Sequence, residues 1–344
     1  MKVVRFAAAA GVVALIVYLM VVCEPILLPL VIAIFLWHLI NALAKVSSGL
    51  RIGGRPVPAG LRLAGALVLV ALLGWFVVNL VVHNVGQLMA AAPVYQQNLQ
   101  QMGTLVAGWL GLEELPASYD LLEGASVTSM VREFTAVLMS MIGSMGTVAI
   151  YVVFLLVEQH MFPSKIAALF PDPGRQARVN GVLHRIGAEI QTYVWLKTLL
   201  SLLTAFLSYV VLWAVGVNMA GFWALLIFAL NYIPYIGGWL GVILPTLLAM
   251  VQFGSLRPIL LTFVALTLVQ FSIGSILEPR IMGKGLNLSL VVMLLSLAVW
   301  GSIWGLVGMF LAVPLMVVIM IVCSQFEATR PLAIVISADG ELKS

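Results

Sequence analysis

Few polar side chains lie inside or beside the long apolar runs of this chain, and those few are the ones able to do chemistry. Asn231 follows an uninterrupted apolar run, 222–230, and is followed at once by Pro234 and by the pair Gly237 and Gly238. A carboxamide there offers both donors and an acceptor, so it could hold a small polar solute or cap the shortened helix. Gln270 lies inside a second run, with Gly274 and Glu278 four and eight residues further on and Thr267 one turn before. On a regular helix these share a face, and the glycine leaves a gap that a solute or a close helix neighbour could fill. Glu278 ends that face, with Arg280 two residues beyond. The carboxylate could line a polar pathway or carry a proton; alternatively, it and Arg280 are interfacial charges touching headgroups or each other. Lys197 and Glu158 read as charged anchors at helix ends, and Glu24 as a carboxylate suited to a helix amino terminus.

The inventory of reactive groups argues against an enzyme. The four histidines, His38, His83, His160 and His184, are scattered, and no Asp lies in an apolar segment. Gly283-Lys284-Gly285 is the nearest approach to a phosphate loop and lacks both the leading glycine and the following Ser or Thr. Cys23 and Cys323 sit in apolar surroundings and form neither a disulfide framework nor a metal site. No catalytic residue, cofactor or metal is expected, and no basic run resembles a nucleic-acid footprint. Transport, if present, is secondary, driven by a proton or ion gradient, or the protein is a channel.

The elements that must position these groups are membrane helices. The chain has 344 residues, 63% hydrophobic and 9% charged, against about 25% charged in a soluble domain, which places it among all-α polytopic membrane proteins. Residues 1–82 hold three transmembrane segments. The first, about 6–22, follows Lys2 and Arg5 and reads as a retained helix with its basic end in the cytoplasm. Lys45, Arg51, Arg55 and Arg62 mark the next loop as cytoplasmic. Residues 83–136 turn polar and acidic, with Val85, Met89, Ala92, Leu99, Met102, Val106 and Trp109 at helical spacings. This is an extramembrane amphipathic arm, either packed on its own bundle or used as an oligomer contact. Residues 137–197 hold a fourth segment and a basic interfacial helix, and 198–325 a transport core. Residues 326–344 form a cytoplasmic tail, so both termini face the cytoplasm.

Within the core, two apolar blocks are interrupted. The first breaks around Asn231, Pro234, Gly237, Gly238 and Gly241 and continues through Pro245; the second breaks around Gly301, Gly305 and Gly308 and continues through Pro314. Proline and glycine break helices, and irregular backbone at membrane depth is tolerated only where protein or a water-filled cavity satisfies it. The helices leading into the two blocks start on opposite sides, so the pair reads as two interrupted or re-entrant helical hairpins in an inverted repeat. A binding site is expected near the midplane between them.

The stretch Asn231-Tyr-Ile-Pro-Tyr-Ile-Gly-Gly, with 278–283 (Glu-Pro-Arg-Ile-Met-Gly), 304–314 (Trp-Gly-Leu-Val-Gly-Met-Phe-Leu-Ala-Val-Pro) and 191–198 ahead of the fifth segment, resembles the autoinducer-2 exporter family of bacterial permeases. Gly238 stands where the family pattern often has proline. The resemblance implies exporters of small signalling molecules and also sodium or proton antiporters. The expectation is a multi-pass secondary transporter of the bacterial inner membrane that exports a small polar organic molecule, with proton or sodium coupling. Candidate residues are Asn231, Pro234, Gly237, Gly238, Gln270, Glu278, Arg280, Gly305 and Pro314. The alternatives are a sodium (potassium)/proton antiporter on the same scaffold, and a non-transporting scaffold working through the arm. Small residues such as Gly143, Gly146 and Ala149 permit a homo-oligomer as readily as packing within one chain.

Overall fold

The computed structural model describes residues 2–47, 51–52, 55–109, 127–282 and 287–341. The acidic stretch of the arm with Glu113, Glu114, Asp120 and Glu123, and the turn Gly283-Lys284-Gly285, lie outside them. The described chain is almost wholly helical. Its helices are α1 (Lys2–Val22), α2 (Glu24–Val46), α3 (Ala59–Trp109), α4 (Val127–Gly143), α5 (Met145–Glu158), α6 (Phe162–Leu169) and α7 (Pro173–Val215). They continue with α8 (Ala220–Leu230), α9 (Ile236–Phe253), α10 (Leu256–Gln270), a π-helical segment Phe271–Leu277, α11 (Glu278–Met282), α12 (Leu290–Ser324) and α13 (Arg330–Ile336). A minimal antiparallel pair, Arg51–Ile52 with Arg55–Pro56, turns the chain between α2 and α3. Among the described residues, seven helices or helix runs are long and apolar enough to cross a membrane: 24–46, 59–98, 131–169, 173–215, 236–253, 256–281 and 290–324.

The chain forms two compact units. One comprises residues 1–68, 144–196 and 282–344, and the other 69–143 and 197–281. In the first unit α2 packs along α5, and the Trp37 indole donates to Gln159 Oε1 at 2.9 Å. Tyr193, Leu288, Val313, Val317, Ile321 and Ile336 form one of its apolar clusters. The helix α13 folds back on α12, held by the backbone bonds from Ser289 to Ile336 and from Ala338 to Asn287.

In the second unit, the latter part of α3 and α4 close on the hairpin of α8 and α9 and on α10. Val85, Leu88, Ala92, Tyr95 and Val131 join Leu212, Phe222, Trp223, Ile227 and Leu266 in one apolar cluster. Asn98 donates to the Val251 carbonyl at 2.8 Å, at the end of α9. The arm residues Val85, Met89 and Ala92 thus pack on their own bundle. A single helix, α3, carries the third segment and the beginning of the arm without a break at His83, because the apolar spacing continues across the change in polarity. Gln252 ties the turn before α8, donating to Gly216 O at 2.9 Å and accepting from Asn218 N at 2.8 Å.

Candidate functional site

The first interruption is built from tight backbone turns. Ile233 N bonds Leu230 O at 2.8 Å, Gly237 N bonds Ile233 O at 3.0 Å, and Ile236 N closes on Pro234 O at 2.7 Å. The last of these is a γ-turn centred on Tyr235, whose φ of 62° and ψ of −58° are strained for a residue with a side chain. The two arms then meet closely. A β-carbon on Gly237 would lie 1.7 Å from the Leu230 carbonyl oxygen, so the reversal requires glycine there. Because the turns satisfy the broken backbone themselves, Asn231 is not needed as a cap. The residue is 6% exposed, and its side chain donates instead to the Ser201 hydroxyl at 3.1 Å.

Ser201 belongs to a face of α7 that reverses the usual polarity of a helix. Lys197, Ser201, Thr204 and Ser208 recur at spacings of four, three and four and are all buried, while Leu199, Leu202, Phe206 and Trp213 are exposed. In water such a helix would be inside out; in lipid it is the expected arrangement, with polar groups facing protein. Thr204 returns its hydroxyl to Leu200 O at 2.8 Å, as buried hydroxyls in apolar helices do. Beside Ser201, the Thr198 hydroxyl and the Tyr232 hydroxyl share a bond of 2.6 Å. Lys197 does not reach out to headgroups, as a snorkelling anchor would. Its side chain is 3% exposed and its Nζ lies 2.5 Å from Glu278 Oε1. Lys197 is buried and its counter-charge is the half-buried Glu278, so the ammonium turns inward. Lys165 and Glu158, by contrast, form an exposed pair at the end of α5.

Gln270, Gly274 and Glu278 do not form the continuous stack that α-helical spacing predicts. The intervening π segment has i→i+5 bonding, which unwinds the helix and shifts the residues beyond it off the face. Gly274 is exposed, with nothing within 4 Å of a β-carbon placed there. The glycine gap exists on the facing helix instead. The Gln270 amide lies over α9, with its Nε2 3.0 Å from where a Gly241 β-carbon would stand and its Oε1 3.7 Å from that of Gly238. This Nε2 is buried and has no hydrogen-bond partner among the described residues. Pro234 is half-buried, Pro245 is buried, and Arg280 is exposed.

The second interruption lies in the first unit and has similar local geometry. Within α12, Trp304 and Gly305 leave helical backbone, Gly305 with φ 59° and ψ −143°, a region open essentially to glycine alone. A β-carbon on Gly308 would lie 1.9 Å from Trp300 O. Residues eight apart on a straight helix are separated by about 12 Å along its axis, so the chain has turned back on itself. The Trp304 indole donates to Met20 O at 3.1 Å, taking up a carbonyl at the end of α1, and Pro314 is buried in the second arm. A cavity of about 300 Å³ in the same unit, lined mainly by apolar side chains with His38 and Gln191, lies between α2 and α7.

Among the described residues, seven helices or helix runs long and apolar enough to span a bilayer, together with two interrupted blocks closed on themselves by glycine, define a polytopic helical membrane protein. A sequence model of the AI-2E family of transporters matches residues 10–328. The chain belongs to that family. It is 29% identical to the AI-2 transport protein TqsA of Escherichia coli (strain K12) over 319 residues, covering 91% of this chain and 89% of that protein. It is 31% identical to a putative transport protein of Haemophilus influenzae over 300 residues, covering 85% and 83%. Similarity to the putative transport protein YhhT of E. coli reaches 36% over 198 residues, 57% of this chain and 56% of that one. As a member of a transporter family the protein works on a small-molecule substrate in a lipid bilayer.

Sequence reasoning missed Ser201, Thr204, Ser208 and Tyr232, and assigned Lys197 to the interface. The four-three-four spacing of Lys197, Ser201, Thr204 and Ser208 was the available signal. In a soluble protein that pattern marks a solvated face, and here only the apolar residues between them reverse its meaning.

Proposed function

We propose that the protein is a secondary transporter that exports a small polar organic molecule across a bacterial inner membrane, with both termini in the cytoplasm. The name of the TqsA relative, an AI-2 transport protein, supports a signalling metabolite as cargo. The observation that carries the reading is the break at Asn231, where a buried carboxamide and the unpartnered Gln270 Nε2 flank a glycine-lined hairpin. Both offer hydrogen bonds to a neutral polar solute, and Gly238 and Gly241 leave the backbone approachable. Glu278 is the coupling carboxylate, exchanging a proton as the cargo crosses.

The pairing of Glu278 with Lys197 also favours a second reading, a sodium (potassium)/proton antiporter in which the carboxylate is the cation site. Inside-out vesicles containing the purified protein separate the two. Under an imposed proton gradient, accumulation of a furanone or sugar that drops at least tenfold in Gln270→Leu supports the exporter. Sodium- or potassium-stimulated proton efflux without solute accumulation supports the antiporter, and no gradient-dependent flux of either kind sinks both.

A further inference from the structure

Three side-chain bonds fall within five residues of α7 and tie it to two different elements. Thr198 and Ser201 hold Tyr232 and Asn231 of the hairpin break, and Lys197 holds Glu278, the first residue after the π segment. The pair is stable as a pair and unstable by halves, because discharging one partner leaves the other charge buried and alone. Lys197 is sealed in at 3% exposure, whereas Glu278 at 23% remains within reach of water and hence of protons.

We propose that Lys197 and Glu278 form a proton-operated clasp that opens and closes the polar face of α7. While Glu278 is ionised, Lys197 draws the end of the π segment onto α7 and the face stays shut. When one proton adds to the carboxylate, Glu278 becomes a neutral acid and Lys197 keeps its charge but loses its partner. The contact then parts, and water reaches Ser201, Thr204 and Ser208. The π segment can absorb the movement. Converting its i→i+5 bonding to α-helical bonding removes one residue from the turn and swings Glu278 by about 100°. The other titratable groups close by are the Tyr232 hydroxyl, bonded to Thr198, and Arg280 on the same helix as Glu278, exposed and outside the ion pair. The further charged side chains described in this unit are Arg132 and Glu133 on α4 and Arg257 at the opposite end of α10, and neither base pairs with Glu278. The transporter reading gives the clasp its purpose, but its chemistry stands apart from any cargo.

The test needs no cargo. Cys23 and Cys323 are replaced by Ser, and Thr204→Cys is introduced at a fully buried site whose hydroxyl bonds only its own helix. The full chain is reconstituted in vesicles, and its rate of labelling by a charged maleimide is divided by that of the exposed Ser164→Cys control at the same pH. The ratio is expected to rise at least tenfold as the pH falls from 8 to about 4, where an ordinary carboxylate takes up its proton. It is expected to be high and independent of pH in Glu278→Gln, and to stay low at pH 8 in the charge swap Lys197→Glu with Glu278→Lys. A flat ratio in the chain with the native pair overturns the clasp without any substitution at 278, so a poorly folding variant does not shelter it. A pH response that survives in Glu278→Gln overturns it equally. Solute flux that fails while the labelling switch persists sinks the cargo reading alone, and the reverse result sinks the clasp alone.

Discussion

Asn231 and Ser201 stand 30 residues apart in the chain, and the carboxamide of one donates to the hydroxyl of the other at 3.1 Å across the end of a broken helix. The bond joins the tip of the α8–α9 hairpin to the buried polar face of α7. A double-mutant cycle of Asn231→Ala and Ser201→Ala, read by thermal unfolding in detergent, should give a coupling energy of about 1 kcal/mol, the usual worth of one such bond. A coupling near zero would mean that the two side chains work independently.

The Lys197–Glu278 pair should behave as a unit. Lys197→Met alone is expected to lower stability by about 1–3 kcal/mol, because it leaves a half-buried carboxylate without its counter-charge. The double variant Lys197→Met with Glu278→Gln should recover most of that loss, as removing both charges is far cheaper than removing one. Equal melting temperatures for the single and double variants would contradict this.

Both hairpin tips depend on glycine for close approach. Gly237→Ala and Gly308→Ala each place a β-carbon less than 2 Å from a carbonyl oxygen of the opposite arm. Each should cost at least the roughly 1–3 kcal/mol of an overpacked core. Gly274→Ala, where the space is open, should stay within about 0.5 kcal/mol of the native chain and serves as the control. Comparable losses at all three positions would show that close approach of the two arms does not set the cost.

Gly305→Ala tests backbone conformation apart from space, since nothing lies within 4 Å of its β-carbon position. Its φ of 59° with ψ of −143° should make the substitution cost about 1–3 kcal/mol, visible as a lower melting temperature. An unchanged melting temperature would mean that the turn relaxes.

Gln270→Leu should remove cargo binding with little loss of stability, because the Nε2 it deletes makes no hydrogen bond. Substrate-dependent thermal stabilisation, measured across furanones, sugars and cations, is expected in the native chain and absent in this variant. Retained stabilisation would place the cargo elsewhere.

Local chemistry was enough to determine much of this protein. Composition placed it among polytopic helical membrane proteins, and its long apolar runs indicated a series of spanning helices. Proline and glycine in the middle of apolar sequence marked both interruptions, because those residues break helices whatever surrounds them. That Asn231 and Gln270 are polar groups in apolar surroundings was also legible, because side-chain type is read directly from the chain.

Three things had to wait for tertiary structure. Lys197 reads as an interfacial anchor until α7 and the end of the π segment bring Glu278 to it, 81 residues away. The expected stack of Gln270, Gly274 and Glu278 assumed α-helical bonding, and periodicity alone cannot reveal where a helix shifts to i→i+5. The inward face of Ser201, Thr204 and Ser208 has the spacing of any solvated stripe. Only the packing of α7 against the hairpin break decides that it is buried, because spacing records which residues share a face and not what that face meets.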